Sequence, residues 1–168
     1  EQLESSGELA NFSFGQGKFT ATPVQVAAMM NVFANEGMYR QPTLIKGLIN
    51  EGSGTLEPSL YFEQEKQIIS KESCKLVKSM LQGVVNEGLG QKASPTFGGA
   101  AGKTGTAQTG RFNEDEKELT DVWFAGFWPA KTPRYTIVVL LDSTLQGSAK
   151  AAEIFAELCN ALEYLQPS

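Results

Sequence analysis

Three stretches of the chain carry apolar residues at the three-to-four-residue spacing of a helix with one face turned to a core. In "TATPVQVAAMMNVFANEG" (20–37), Thr22 suits the N-cap and Pro23 the first helical position. Gln25 completes a capping box and Gly37 marks the end. Val24, Ala27, Ala28, Val32 and Ala34 leave little polar surface, which predicts a well-buried helix. In "IISKESCKLVKSMLQGVVNEG" (68–88), Ser70 is the cap and Ile69 with Cys74 forms a hydrophobic staple. Cys74, Val77, Leu81 and Val84 recur along one face, and Gly88 ends the helix. The third helix is "SAKAAEIFAELCNALEYL" (148–165). Ser148 caps it, Pro167 lies past its end, and its apolar face is Ala151, Ile154, Phe155, Leu158, Leu162 and Leu165.

The remaining pattern is that of strands. "DVWFAGFW" (121–128) and "YTIVVLLD" (135–142) are apolar at both alternating sets of positions, so each is expected to be covered on both faces. The short "PAKTPR" between them predicts an antiparallel hairpin. "GKTGTAQT" (102–109) reads as a third strand, favoured by threonine and weakened by glycine. The polar, acidic "GRFNEDEKEL" that follows reads as a solvated loop. Residues 38–68 read as short strands and turns whose order the pattern does not assign. The result is an α+β fold in which helices pack on a mostly antiparallel sheet. Strands this apolar on both faces usually belong to a larger sheet, so part of the domain is expected to lie elsewhere.

Composition narrows the chemistry. The 168 residues suit one domain with its own core, at 41% hydrophobic and 20% charged residues. Fourteen basic and nineteen acidic residues give a net charge of −5, which argues against a nucleic-acid partner. No apolar run reaches the roughly 18 residues of a membrane span. The chain opens on Glu1 without a methionine or a leader, and the expectation is a piece of something longer or a processed product. Cys74 and Cys159 each fall on an apolar helical position, where small buried hydrophobes and a disulfide are both open readings. There is no histidine. Ser-His-Asp and Cys-His catalysis are thereby excluded, a general base must be Lys, Asp, Glu or Tyr, and no metal site is indicated.

The unusual chemistry is in "FGGAAGKTGTAQTGRF" (97–112), where Lys103 stands among five glycines. On a strand, Lys103 and Gly105 share one side, and Thr104 and Thr106 the other. A bare backbone at Gly105 would let an extended peptide lie alongside, and the ammonium would attract a carboxylate or a developing anion. An ordinary turn is the competing reading. A phosphate cradle fits poorly, because Phe97 stands where that motif needs glycine and a strand follows instead of a helix.

"AAGKTGTAQ", followed by "DVWFAGFWPA" and "YTIVVLLD", resembles the last third of a class B penicillin-binding protein, a peptidoglycan D,D-transpeptidase. "FSFGQGKFTATPVQVAAMMNVFANEGMYRQPTLI" and "MLQGVVNEGLGQKA" resemble the stretches that come earlier in the same family, in the same order. The resemblance implies the penicillin-binding/serine β-lactamase-like fold, with residues 1–168 the C-terminal portion of one transpeptidase domain. It implies Lys103 as the catalytic lysine of the KTG strand, and Thr104, Gly105 and Thr106 as substrate-binding residues. It also makes the Thr106 N–H an oxyanion donor. Implied partners are the D-Ala–D-Ala stem peptide of peptidoglycan, β-lactams and the missing N-terminal half of the domain. No cofactor is implied, and the setting is extracytoplasmic, anchored to the membrane through a segment not in this chain.

One departure matters. No serine has a lysine three places on, and no Ser-x-Asn occurs. Both family motifs precede the region covered, so the chain alone is expected to be inactive. A serine β-lactamase, a β-lactam-sensing receptor and a non-catalytic binding module remain open. The acidic stretch 113–118 is open to contact with cell-wall synthesis proteins, with a solvated loop the preferred reading.

Overall fold

The computed structural model describes residues 5–13, 15, 17, 20–45, 47–58 and 65–165. In chain order these form α1 (Ser6–Ser13), α2 (Pro23–Ala34), β1 (Met38–Arg40), β2 (Gly47–Ile49), β3 (Leu56–Pro58), β4 (Glu65–Gln67) and α3 (Lys71–Asn86). A 3-10 turn (Gln91–Ala93), β5 (Ala101–Phe112), β6 (Glu118–Trp128), β7 (Tyr135–Thr144) and α4 (Ser148–Tyr164) follow. The main sheet is antiparallel in the order β5-β6-β7, and two small antiparallel pairs, β1 with β4 and β2 with β3, stand apart from it. Among the described residues, then, the main sheet stays at three strands. Pro167 lies outside the described residues.

Alternation along the strands divides the core in two. One set, Val122, Phe124, Trp128 and Val139, is buried with Ala151, Ala152, Phe155 and Cys159 of α4. The other, Ala101, Ala125 and Phe127, is buried with Met30 of α2 and Leu81 of α3. Both faces of the hairpin are therefore covered, as its continuous apolar runs require. Each fully buried large side chain contributes about 1.5–3 kcal/mol. Phe124 lies at the centre, tilted against Phe155 with ring centroids 4.7 Å apart.

Local signals explain the helix ends. Thr22 Oγ1 accepts from the Gln25 N–H while Gln25 Oε1 accepts from the Thr22 N–H, so the capping box is formed. Gly37, at φ +91°, donates to the Val32 carbonyl at 2.8 Å, a left-handed closure that favours glycine. Ser70 accepts from the Ser73 N–H at 3.1 Å to start α3.

Several expectations need correction. Only Met30 and Val32 of α2 are buried, while Val24 and Met29 are 59% and 53% exposed. Met30 packs with the sheet and Val32 is buried on another side of the helix, so the apolar Val24 and Met29 stay exposed between them. In α3 Cys74 and Leu81 are buried as expected, but the third buried residue is Val85, with Val84 half-buried. Gly147 caps α4 without a side-chain bond, because Ser148 already lies within the helix. The buried stripe of α4 runs through Ala151, Ala152, Phe155, Ala156 and Cys159, leaving Leu158 and Leu165 exposed. Small alanines bring this helix close to the sheet, and the larger leucines turn outward. Cys74 and Cys159 are buried free thiols. Neither α1 nor the 3-10 turn was expected from the pattern.

The acidic segment is also largely strand. β5 continues to Phe112 and β6 begins at Glu118, so the tip spans only 113–117. Asn113 Oδ1 closes the tip by accepting from the Asp115 and Lys117 N–H groups at 3.1 and 2.8 Å. A bulge between Gln108 and Arg111 absorbs the irregularity, with Gly110 at φ +66°.

Candidate active site

The sheet places "GKTGT" on its edge strand. Lys103 stands opposite Ala125, Thr104 opposite Phe124, Gly105 opposite Trp123 and Thr106 opposite Val122. Among the described residues β5 has a partner on one side only, so alternate backbone N–H and C=O groups face outward. The strand is fixed from behind by the loop that leads into it. Trp128 Nε1 donates to the Phe97 carbonyl at 2.8 Å, and the Ala130 N–H donates to the Gly98 and Gly99 carbonyls at 3.1 Å.

Two glycines flank Lys103, and packing treats them differently. A Cβ on Gly102 would lie 2.6 Å from Phe124 Cε1 and 2.7 Å from the Ala125 carbonyl oxygen, so this glycine is demanded by the core. A Cβ on Gly105 would meet only the Trp123 side chain, at 3.4 Å, which is ordinary contact. Nothing inside the fold requires glycine at 105. Its bareness acts outward.

Lys103, Thr104, Gly105 and Thr106 all line one open cavity of about 480 Å³. The opposite wall comes from α2 through Val26, Met29 and Met30, with Thr20, Ala21 and Gly15 at the rim. Ala107, Asp121, Trp123 and Ala125 complete the sheet side. Lys103 Nζ donates to its neighbour's carbonyl, Thr104 O, at 2.9 Å and lies 3.4 Å from Thr104 Oγ1. The ammonium is therefore held beside its own strand, within the cavity lining. Thr104 is only 9% exposed, and Thr106 is exposed. A cation, two threonines and an open strand edge converge on one surface that can receive an extended peptide and its carboxylate. Among the described residues, no group of three or more His, Cys, Asp or Glu could hold a metal ion.

Residues 2–160 match the family of the penicillin binding protein transpeptidase domain. The chain belongs to this family. It is 34% identical over 157 residues to penicillin-binding protein PbpB of Mycobacterium tuberculosis, covering 86% of this chain and 22% of that protein. It is 34% identical over 167 residues to the peptidoglycan D,D-transpeptidase MrdA of Haemophilus influenzae, covering 88% and 24%. The chain thus spans about a quarter of the length of these curated relatives. The apo crystal structure of penicillin binding protein 3 from Mycobacterium tuberculosis matches at a TM-score of 0.80 and 28% identity, over 96% of this chain and 39% of that one. Its complex with aztreonam matches at 0.78 and 30%, with the same coverage. The α+β transpeptidase fold expected from the motifs is borne out by these matches.

The cavity also contains residues that the motif did not point to. Trp123 and Asp121 lie on β6 at the same alternation as Ala125, behind Gly105 and Ala107. Finding them needed the β5–β6 register. Reading the connection after Thr109 as loop from its charge hides that register. Beyond Asp121, Arg111 Nη2 bonds Asp142 Oδ1 at 3.0 Å. The Ser143 hydroxyl first, then Asp121 and Arg111, hold the Asp142 carboxyl below the usual range.

Proposed function

We propose that this chain is the C-terminal portion of a serine D,D-transpeptidase domain and supplies its KTG strand. The observation that carries this reading is the placement of Lys103–Thr106 on an open sheet edge that lines the cavity. In the intact protein, a serine outside these 168 residues attacks the carbonyl of the penultimate D-Ala of a stem peptide. The peptide C–N bond breaks, the terminal D-Ala leaves with a proton, and an ester joins serine to the peptide. An amine from a neighbouring peptidoglycan strand then displaces the serine oxygen and forms the cross-link. A β-lactam enters the same step as a dipeptide mimic, and its acyl-enzyme persists.

The residues of this chain act on charge. Lys103 places a positive field beside the substrate carboxylate and the proton path of the serine. The Thr104 and Thr106 hydroxyls are positioned for that carboxylate. The Thr106 N–H serves the oxyanion, a contact whose loss typically costs about 2.7–4 kcal/mol in the transition state. Gly105 keeps the backbone open for the peptide. The substrate sets an extracytoplasmic location, with anchoring by a segment beyond this chain.

Labelling with a fluorescent penicillin tests the reading. The intact protein is expected to label covalently at a serine outside these residues, and the isolated 168-residue chain to stay unlabelled. An intact protein that takes up no label refutes the enzyme assignment, and a labelled isolated chain refutes its predicted inactivity.

A further inference from the structure

At the opposite edge of the sheet from Lys103, a second cavity of about 190 Å³ opens where the end of α2 meets the start of β7. Its polar wall is Asn31 and Asn35 from the end of α2, Arg40 of β1, and Arg134, Tyr135 and Thr136 at the hairpin turn. It shares no lining residue with the cavity beside the KTG strand. Thr136 Oγ1 donates to Asn31 Oδ1 at 3.4 Å, which leaves the Asn31 amide hydrogens as donors. Asn35 Nδ2 is buried with no hydrogen-bond partner among the described residues. An orphaned buried donor is destabilising until an acceptor reaches it. A turn of the Asn35 amide presents this donor to a group in the cavity.

Charge selects the acceptor. Arg40 is paired with Glu65 at 2.5 Å, whereas the Arg134 guanidinium has no ion pair among the described residues. Among those residues no acid lines the cavity. Glu36, next to Asn35 in the chain, is paired with Lys71 at 2.8 Å. Ala34 borders this cavity and a neighbouring one lined by Lys71, Lys75 and Lys78. This end of a chain with net charge −5 is therefore cationic. Two guanidiniums, one of them neutralised by Glu65, leave one positive charge for an occupant, which matches a monoanion. The partial negative charge at the C-terminal end of α2 disfavours a dianion. A planar guanidinium fork and two amides suit the two oxygens of a carboxylate. We propose that this cavity binds a carboxylate group, held by Arg134 and by the amides of Asn31 and Asn35.

The test is a titration of the intact protein with acetate, read by saturation-transfer NMR at fixed ionic strength. Penicillin is added first to occupy the KTG cavity, which also attracts carboxylates. Acetate is expected to bind saturably, its neutral isostere acetamide not to bind, and sulfate to compete only weakly. Arg134→Gln changes an exposed side chain and should raise the acetate dissociation constant at least about tenfold, the loss of one charge-assisted hydrogen bond. Asn35→Asp, nearly isosteric, puts a like charge in the lining and should abolish binding. A blocked tripeptide with a central glutamate distinguishes the sources of the group. Tighter binding than acetate assigns the site to a polypeptide side chain, and equal or weaker binding assigns it to a free acid. No saturable binding of acetate, equal binding of acetamide, tighter binding of sulfate, or an unchanged dissociation constant in Arg134→Gln overturns the inference. If Asn35→Asp does not fold, Arg134→Gln alone decides. A wild-type protein that penicillin does not label refutes the transpeptidase reading instead, and acetate binding by wild type and Arg134→Gln still decides this one.

Discussion

Gly102→Ala and Gly105→Ala are the same chemical change, two residues apart on one strand, and the structure separates their consequences. At Gly102 the new methyl would stand 2.6 Å from Phe124 Cε1 and 2.7 Å from the Ala125 carbonyl oxygen. One obstacle is backbone. The other is a ring fully buried and held against Phe155. Neither gives way cheaply, and overpacking of this kind costs about 1–3 kcal/mol. At about 2–4 °C per kcal/mol for a domain of this size, the melting temperature should fall by roughly 2–12 °C. At Gly105 the methyl would meet only Trp123 Cβ, at 3.4 Å. Restricting the unfolded chain gains about 0.4–1 kcal/mol there, so Gly105→Ala should be neutral or slightly stabilising.

Function should run the other way. Gly105→Ala puts a methyl on the wall where the peptide approaches, and acylation by penicillin in the intact protein should slow at least about tenfold. Thermal unfolding and stopped-flow acylation of both variants make the comparison. Equal destabilisation by the two substitutions would show that Gly105 is a packing glycine. Wild-type acylation by Gly105→Ala would show that the bare edge is not where the substrate lies.

Three further outcomes follow from the same coordinates. Lys103→Ala in the intact protein should slow penicillin acylation by about 100-fold or more, and unchanged labelling kinetics would remove the ammonium from the mechanism. Thr22→Ala removes the reciprocal cap of α2, the helix that walls the cavity, and should cost about 0.5–2 kcal/mol in denaturant unfolding. A loss near zero would mean that tertiary contacts alone hold that helix end. Burial pushes the Cys159 thiol from 9.0 up to about 12, so it should resist thiol reagents at pH 8 until the chain unfolds. The folded state binds this proton more tightly than the unfolded chain does. The associated stability is complete below pH 9 and is lost as pH rises from 9 toward 12, which alkaline unfolding of Cys159→Ala against wild type would reveal.

The legible parts of this molecule were those where a local rule and the tertiary structure agree. Thr22, Pro23 and Gln25 encode a cap that needs no distant partner, and the cap forms as expected. The doubly apolar runs of β6 and β7 could be satisfied only under two layers, and two layers are present. Expectations failed where the deciding contact was distant. Val24 reads as core because it is apolar, yet its burial depends on what stands across from it. Leu158 reads as a better core residue than Ala156, but a close-packed sheet selects the smaller side chain. The segment after Thr109 looks like loop by charge alone, although its polar side chains only mark the exposed end of a ladder whose pairing is backbone.

The site divides along the same line. Lys103 and its threonines were visible because a short motif carries them on consecutive residues. Trp123 and Asp121 were not, since they enter the cavity through cross-strand register, and the spacing between Ala107 and Asp121 is set by the tip at 113–117 and the bulge beyond Gln108. Small side chains on the edge strand are what open that second row to the cavity. If Gly105 and Ala107 were large, Trp123 and Asp121 would be ordinary buried neighbours. Because they are small, two strands line the cavity at once. β5 offers the backbone and the cation, and β6 offers the aromatic surface and the carboxylate behind them.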